Sequence, residues 1–112
     1  MIVVDSSALL AILFKEAEKQ SFEAILSGAD RCVISAVNAY ETACVLRLRH
    51  NQAMVEELWR LLEDNEIEIV PFDEIHVRAA AVALDRYGKG IDPKARLNLR
   101  DCAAYALAKT TN

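Results

Sequence analysis

The chain opens MIVVDSSALLAILF: four apolar residues, an aspartate, two serines and a second apolar run. A short β-branched run that is apolar at every position predicts a buried strand over residues 1–4. Ser6 or Ser7 then reads as the cap of a helix through Phe14. A second helix from Glu18 to Leu26 puts Phe22, Ile25 and Leu26 on one face, and Gly28 ends it. RCVIS, Arg31 to Ser35, reads as the second strand. With Ser35 as cap, the next helix repeats Val37, Tyr40, Cys44 and Leu48 at helical spacing, which predicts a core stripe. A further helix from about Asn51 to Leu62 carries Val55, Leu58, Trp59 and Leu62. IEIV, Ile67 to Val70, is a third strand closed by Pro71, and Asp73 caps a helix through Tyr87. GKGIDPKAR is a loop punctuated by Gly88, Gly90 and Pro93, and the last helix starts near Asn98 and runs through Lys109.

Strands that alternate with helices and are nearly all apolar predict an α/β fold with a parallel sheet covered on both faces. A chain of 112 residues has room for one core, so residues 1–112 are read as a single domain. With 54% hydrophobic and 27% charged residues, disorder is excluded. Cys32, Cys44 and Cys102 are odd in number, lie inside apolar runs and fit neither a zinc site nor a disulfide framework, which predicts buried free thiols in a reducing compartment. The N-terminus lacks the basic residues of a signal peptide, and no apolar run approaches the ~20 residues of a membrane helix. A cytoplasmic protein without membrane association is expected. His50 and His76 pair with no nucleophile and read as surface residues.

Net charge is −4, which gives no general affinity for nucleic acid, but the distribution is uneven. From Glu56 to Glu74 the acids are opposed by Arg60 alone, whereas Arg86, Lys89, Lys94, Arg96 and Arg100 are opposed only by Asp92. A basic segment on an acidic chain can serve as a local phosphate site or remain a solvated loop.

Functional groups in parallel sheets gather outside the carboxyl ends of the strands. Asp5 lies there, directly after the first strand. Glu41 falls in the second turn of the helix that follows the second strand and therefore starts at the same edge. Asp101 enters the last helix, where DCAAYALA is apolar on nearly every side, so its carboxylate needs compensation. Asn98 and Asp101 also suit a capping box, and both roles can hold together. Ser7 can turn its hydroxyl back to hold a carboxylate, or cap the first helix. No glycine-rich phosphate loop, nucleophile elbow or zinc pattern is present. Three converging carboxylates repel one another unless a divalent cation lies among them, and hard oxygen donors suit Mg²⁺ or Mn²⁺. Such an ion activates water and stabilises charge on a phosphodiester, which is nuclease chemistry. KARLNLR, just before Asp101, would then hold the phosphate backbone through Lys94, Arg96 and Arg100.

VVDSSALLAIL, the glutamate of AYETACVL, and ARLNLRDCAAYALAK together resemble the PIN-domain ribonuclease toxins of the VapC type. The resemblance implies a PIN-like three-layer α/β/α sandwich with a short parallel sheet. It also implies a metal-dependent endoribonuclease, the toxin of a type II toxin–antitoxin system, held inactive by a VapB-type antitoxin and commonly a homodimer. By the same resemblance Asp5, Glu41 and Asp101 are the metal-binding acids, and Ser7 takes the place of a supporting Ser or Thr.

Three departures from that pattern matter. Family members continue past the last helix with a strand and a fourth acid, whereas this chain ends at KTTN and reads as C-terminally truncated. The residue before the third acid is often small, and here it is Arg100. The basic or histidine positions of the preceding loop are Ile91 and Asp92. In the family's sheet the first strand is central, so loss of a neighbour would leave MIVV as an open edge in need of a second subunit or another segment. A second reading therefore stays open: a weakened remnant that binds antitoxin or RNA without efficient cleavage, with Arg100 as an internal cation in place of the metal. A phospho-acceptor domain ranks below both, since it calls for a second aspartate close by in sequence and a lysine following a later strand, and neither is visible.

Overall fold

Short polar side chains fix where the helices begin. The computed structural model describes residues 1–14, 16–88 and 98–110. In chain order these form β1 (Ile2–Val4), α1 (Ser6–Phe14), α2 (Glu16–Ser27), β2 (Cys32–Ser35), α3 (Ala36–Arg49), α4 (Gln52–Asp64), β3 (Ile67–Val70), α5 (Glu74–Tyr87) and α6 (Leu99–Thr110). Ser35, Asn51 and Asp73 each accept a hydrogen bond from an otherwise orphaned N–H, of Val37 (3.3 Å), Met54 (3.0 Å) and His76 (3.1 Å) respectively. The cap of α1 differs from expectation. Asp5, not Ser6 or Ser7, takes the Ala8 N–H at 2.8 Å, because both serines already lie within the helix and Ser6 is buried against α3. Of the expected face of α2, Leu26 reaches the core fully; Phe22, four residues earlier, is half-buried on the same stripe, and Ile25 is turned to solvent.

The three strands form one parallel sheet in the order β1-β2-β3. Val4 pairs with Ile34, and Ser35 with Val70, so the carboxyl ends of all three strands share one edge. β1 is an outer strand among the described residues, the open edge expected of this chain. Successive side chains of β2 point to opposite faces and all are buried. Cys32 and Ile34 join Leu9, Ile12, Leu26, Leu46, Leu58 and Leu62 in one cluster. Val33 points the other way and is fully buried on the face where α6 packs on β1 and β2, bringing Cys102, Ala103, Ala106 and Leu107. A sheet buried from both sides is the α/β sandwich the sequence predicts.

α3 is rotated by about half a turn from the expected phase. Tyr40 and Leu48 are 73% and 83% exposed, and Cys44 is half-buried. The buried stripe is instead Asn38, Ala39, Thr42 and Leu46. Two polar residues can face inward because their hydrogen bonds are made there: Thr42 Oγ1 donates to the Asn38 carbonyl at 2.7 Å, and the Asn38 amide bonds to neighbouring helices. His76 also departs from expectation. It is buried, edge-on to the Phe72 ring at 5.9 Å, because the first turn of α5 carries it inward, whereas His50 stays exposed beside Phe14. All three cysteines are free, with Cys32 and Cys102 buried.

Candidate active site

The register that aligns Val4 with Ile34 sets Asp5 beside Ser35 at the carboxyl edge of the sheet, and α3 starts from that point. The first turn of α3 brings Asn38 to the junction with α1 and α6. Its Nδ2 donates to Ser6 Oγ at 3.2 Å and to the Arg100 carbonyl at 3.1 Å, while Ser6 Oγ donates to the Asn38 carbonyl at 3.3 Å. One fully buried amide thus ties together the three segments that carry Asp5, Glu41 and Asp101. Its Oδ1 is equally buried and accepts no hydrogen bond among the described residues.

Asp5 is exposed, with Oδ1 committed to the Ala8 N–H. Asp101 forms the expected capping box: its N–H donates to Asn98 Oδ1 (2.9 Å) and its Oδ2 accepts from the Asn98 N–H (3.1 Å). Glu41 lies one turn after Asn38, and its Oε1 accepts from Arg100 Nη1 at 2.5 Å, both side chains being about one-third exposed. Each acid keeps one oxygen without a partner among the described residues. The elements converge but the carboxylates are not gathered: no three Asp, Glu, His or Cys side chains among the described residues stand close enough to hold a metal ion. As a donor set, three carboxylates with uncommitted oxygens fit a hard divalent cation, and the orphaned Asn38 Oδ1 adds a neutral oxygen at the same junction.

Ser7 is exposed, and the buried hydroxyl at this junction belongs to Ser6. Lys94 and Arg96 lie outside the described residues. Burial pushes the Cys102 thiol pKa up and the neighbouring Asp101 charge adds to the effect, so Cys102 stays protonated and supplies no nucleophile. Asn38 escaped the sequence reading. Its signal was an asparagine inside a helix, where it is disfavoured, four residues before Thr42 and eight before Leu46 on the face opposite the apolar stripe. A cleft of about 460 Å³ between α1, α2 and α4, lined by Phe14, Met54 and Leu61, contains none of the three acids. No helix among the described residues is long and apolar enough to cross a membrane.

Residues 2–112 match the family model described as a PIN domain. Ribonuclease VapC42 of Mycobacterium tuberculosis is 35% identical over 109 residues, covering 97% of this chain and 83% of the relative. Ribonuclease VapC28 of the same organism is 34% identical over 106 residues, covering 95% of this chain and 80% of the relative. Ribonuclease VapC of Mycolicibacterium smegmatis is 36% identical over 109 residues, covering 97% and 84%.

Proposed function

The chain belongs to the PIN-domain family, and from that premise we propose that it is a VapC-type endoribonuclease, the toxin of a type II toxin–antitoxin system. Its substrate is RNA and its partner a cognate VapB-type antitoxin, both in the cytoplasm. PIN-domain VapC nucleases are metal-dependent in general. Here the ion is Mg²⁺ or Mn²⁺, held by Asp5, Glu41 and Asp101. The three acids would hold the ion, and its chemistry there would be Lewis acidity toward a water and the phosphodiester oxygens.

What supports the reading is the Asn38 amide, which locks the segments of all three acids to one edge of the sheet. The two capping bonds keep the Asp5 and Asp101 carboxylates at helix starts, each with one oxygen unpartnered among the described residues. Ser7 supports the acid two residues before it. Lys94, Arg96 and Arg100 meet RNA phosphates, so binding weakens as salt rises. A second copy of the chain covers the outer edge of β1, giving a homodimer.

Asp5→Asn tests the chemistry cleanly, because asparagine caps a helix as well as aspartate does and the fold is retained while the anionic ligand is lost. RNA cleavage disappears in this variant with its melting temperature unchanged. Cleavage that persists in Asp5→Asn, or in excess EDTA, rejects the proposal. The Arg100–Glu41 pair favours one other reading, a weakened enzyme that engages antitoxin or RNA without efficient cleavage. Wild-type protein that binds antitoxin but no millimolar Mn²⁺ establishes that reading instead.

A further inference from the structure

Arg100 and Glu41 are 59 residues apart in sequence and lie on different helices, yet Nη1 stands 2.5 Å from Oε1. The pair is held in place from behind. The Arg100 carbonyl accepts from the Asn38 amide, and Asn38 precedes Glu41 by one turn of α3, so the backbones carrying both charges are already tied together. Asp5 and Asp101 are restrained by bonds within their own helix starts. Glu41 has the longer side chain and the wider swing, and it is the acid whose direction is set from another helix. No three acids among the described residues are gathered, and Glu41 is the one of the three candidates that pairs with a guanidinium.

We propose that Arg100 is a built-in counter-ion that holds Glu41 back from Asp5 and Asp101, so that a divalent cation is bound by all three acids only as the Arg100–Glu41 pair opens. This rests on the reading of Glu41 as a metal ligand. Arg100 acts through Glu41 and is a positioning residue. Its effect on affinity has two parts: the charge-assisted hydrogen bond that must be given up, and the repulsion between a retained guanidinium and an incoming cation. Once parted from Glu41, the same guanidinium is free to meet an RNA phosphate, so one side chain serves both states of the site.

The test is isothermal titration calorimetry with MnCl₂ alone, without RNA, on the wild type and on Arg100→Gln, Arg100→Met, Arg100→Lys and the double variant Arg100→Gln/Glu41→Gln. Circular dichroism checks that each is folded, and the Gln and Met variants both keep an unbranched stem without charge, so misfolding of one leaves the other to decide. Mn²⁺ binds about tenfold more tightly to Arg100→Gln and Arg100→Met than to the wild type. Arg100→Lys returns the affinity to within about threefold of wild type, and adding Glu41→Gln removes the gain. A folded, neutral variant that binds Mn²⁺ no better than a wild type which does bind it overturns the counter-ion while leaving the metal site standing. If neither the wild type nor the neutral variants bind Mn²⁺ at millimolar concentration, the metal site falls and the counter-ion with it.

Discussion

Asn38→Ala removes the amide that joins α1, α3 and α6. Two hydrogen bonds are lost, to Ser6 Oγ and the Arg100 carbonyl, each contributing ~1 kcal/mol. The Arg100 carbonyl keeps its bond from the Ala104 N–H within α6, so what is added is the cavity, costing another ~1–2 kcal/mol. Removal of the orphaned Oδ1 returns about 1 kcal/mol. The Thr42 hydroxyl is unaffected, since it bonds to the Asn38 backbone. The net loss is ~2–3 kcal/mol, which at a urea m-value of ~1.3 kcal/mol/M lowers the unfolding midpoint by about 2 M. Asn38→Asp keeps the volume but turns a carboxylate toward the Arg100 carbonyl, and at pH 7 it destabilises more than alanine does. Burial raises the folded-state pKa of the introduced carboxyl above its unfolded value of about 3.9. The neutral form is tolerated at low pH, and the penalty relative to wild type grows as pH rises through that raised pKa. Urea melts at pH 7 and pH 4, each against wild type, measure both effects. A double-mutant cycle with Ser6→Ala is expected to show coupling of about 1 kcal/mol. An alanine variant within about 0.5 kcal/mol of wild type, or an aspartate variant equally damaged at both pH values, refutes the tie.

The rotation of α3 separates two leucines two residues apart. Leu46→Ala, at a fully buried position, costs ~2–5 kcal/mol, whereas Leu48→Ala costs under ~0.5 kcal/mol; thermal melts giving equal losses would return Leu48 to the core. Iodoacetamide on the native protein is expected to label Cys44 first, with Cys32 and Cys102 reacting only on unfolding, as followed by mass spectrometry. The raised pKa of Cys102 adds an alkaline signature. Its folded-state value lies above the ordinary 9.0, so its contribution is fully present below pH 9 and is lost as pH climbs through the raised value. Cys102→Ser therefore flattens the fall of stability at high pH, and an unchanged alkaline limb would show that the thiol is not desolvated as described.

Most element boundaries were legible because they are written locally. Ser35, Asn51, Asp73 and Asn98 each satisfy an N–H within three residues, and such bonds need no knowledge of the rest of the chain. IVV, CVIS and IEIV are short, largely apolar runs, and CVIS, the central strand, is buried on both faces by helices packed on either side. The phase of α3 was not local. Val37, Tyr40, Cys44 and Leu48 make the more apolar stripe, yet Asn38, Thr42 and Leu46 are the ones enclosed. What decides between the two is whether a partner exists for a polar group once water is gone, and those partners, Ser6 and the Arg100 carbonyl, lie 32 and 62 residues away.

The same non-locality governs the candidate site. That Asp5, Glu41 and Asp101 begin at one edge of a parallel sheet follows from strand order and helix starts, which the residue pattern carries. How far their oxygens stand from one another depends on side-chain partners that cross between helices. Asp5 and Asp101 have theirs within three residues, and both are helix-start bonds of the kind residue patterns predict. Glu41 has its partner on α6, brought within reach by an asparagine that no apolar periodicity would single out. Position along the sheet edge and the direction of the Glu41 carboxylate are therefore set by different interactions. A substitution at residue 100 can alter the second without disturbing the first, because the bond that locks α6 to α3 uses the Arg100 backbone carbonyl and not its side chain.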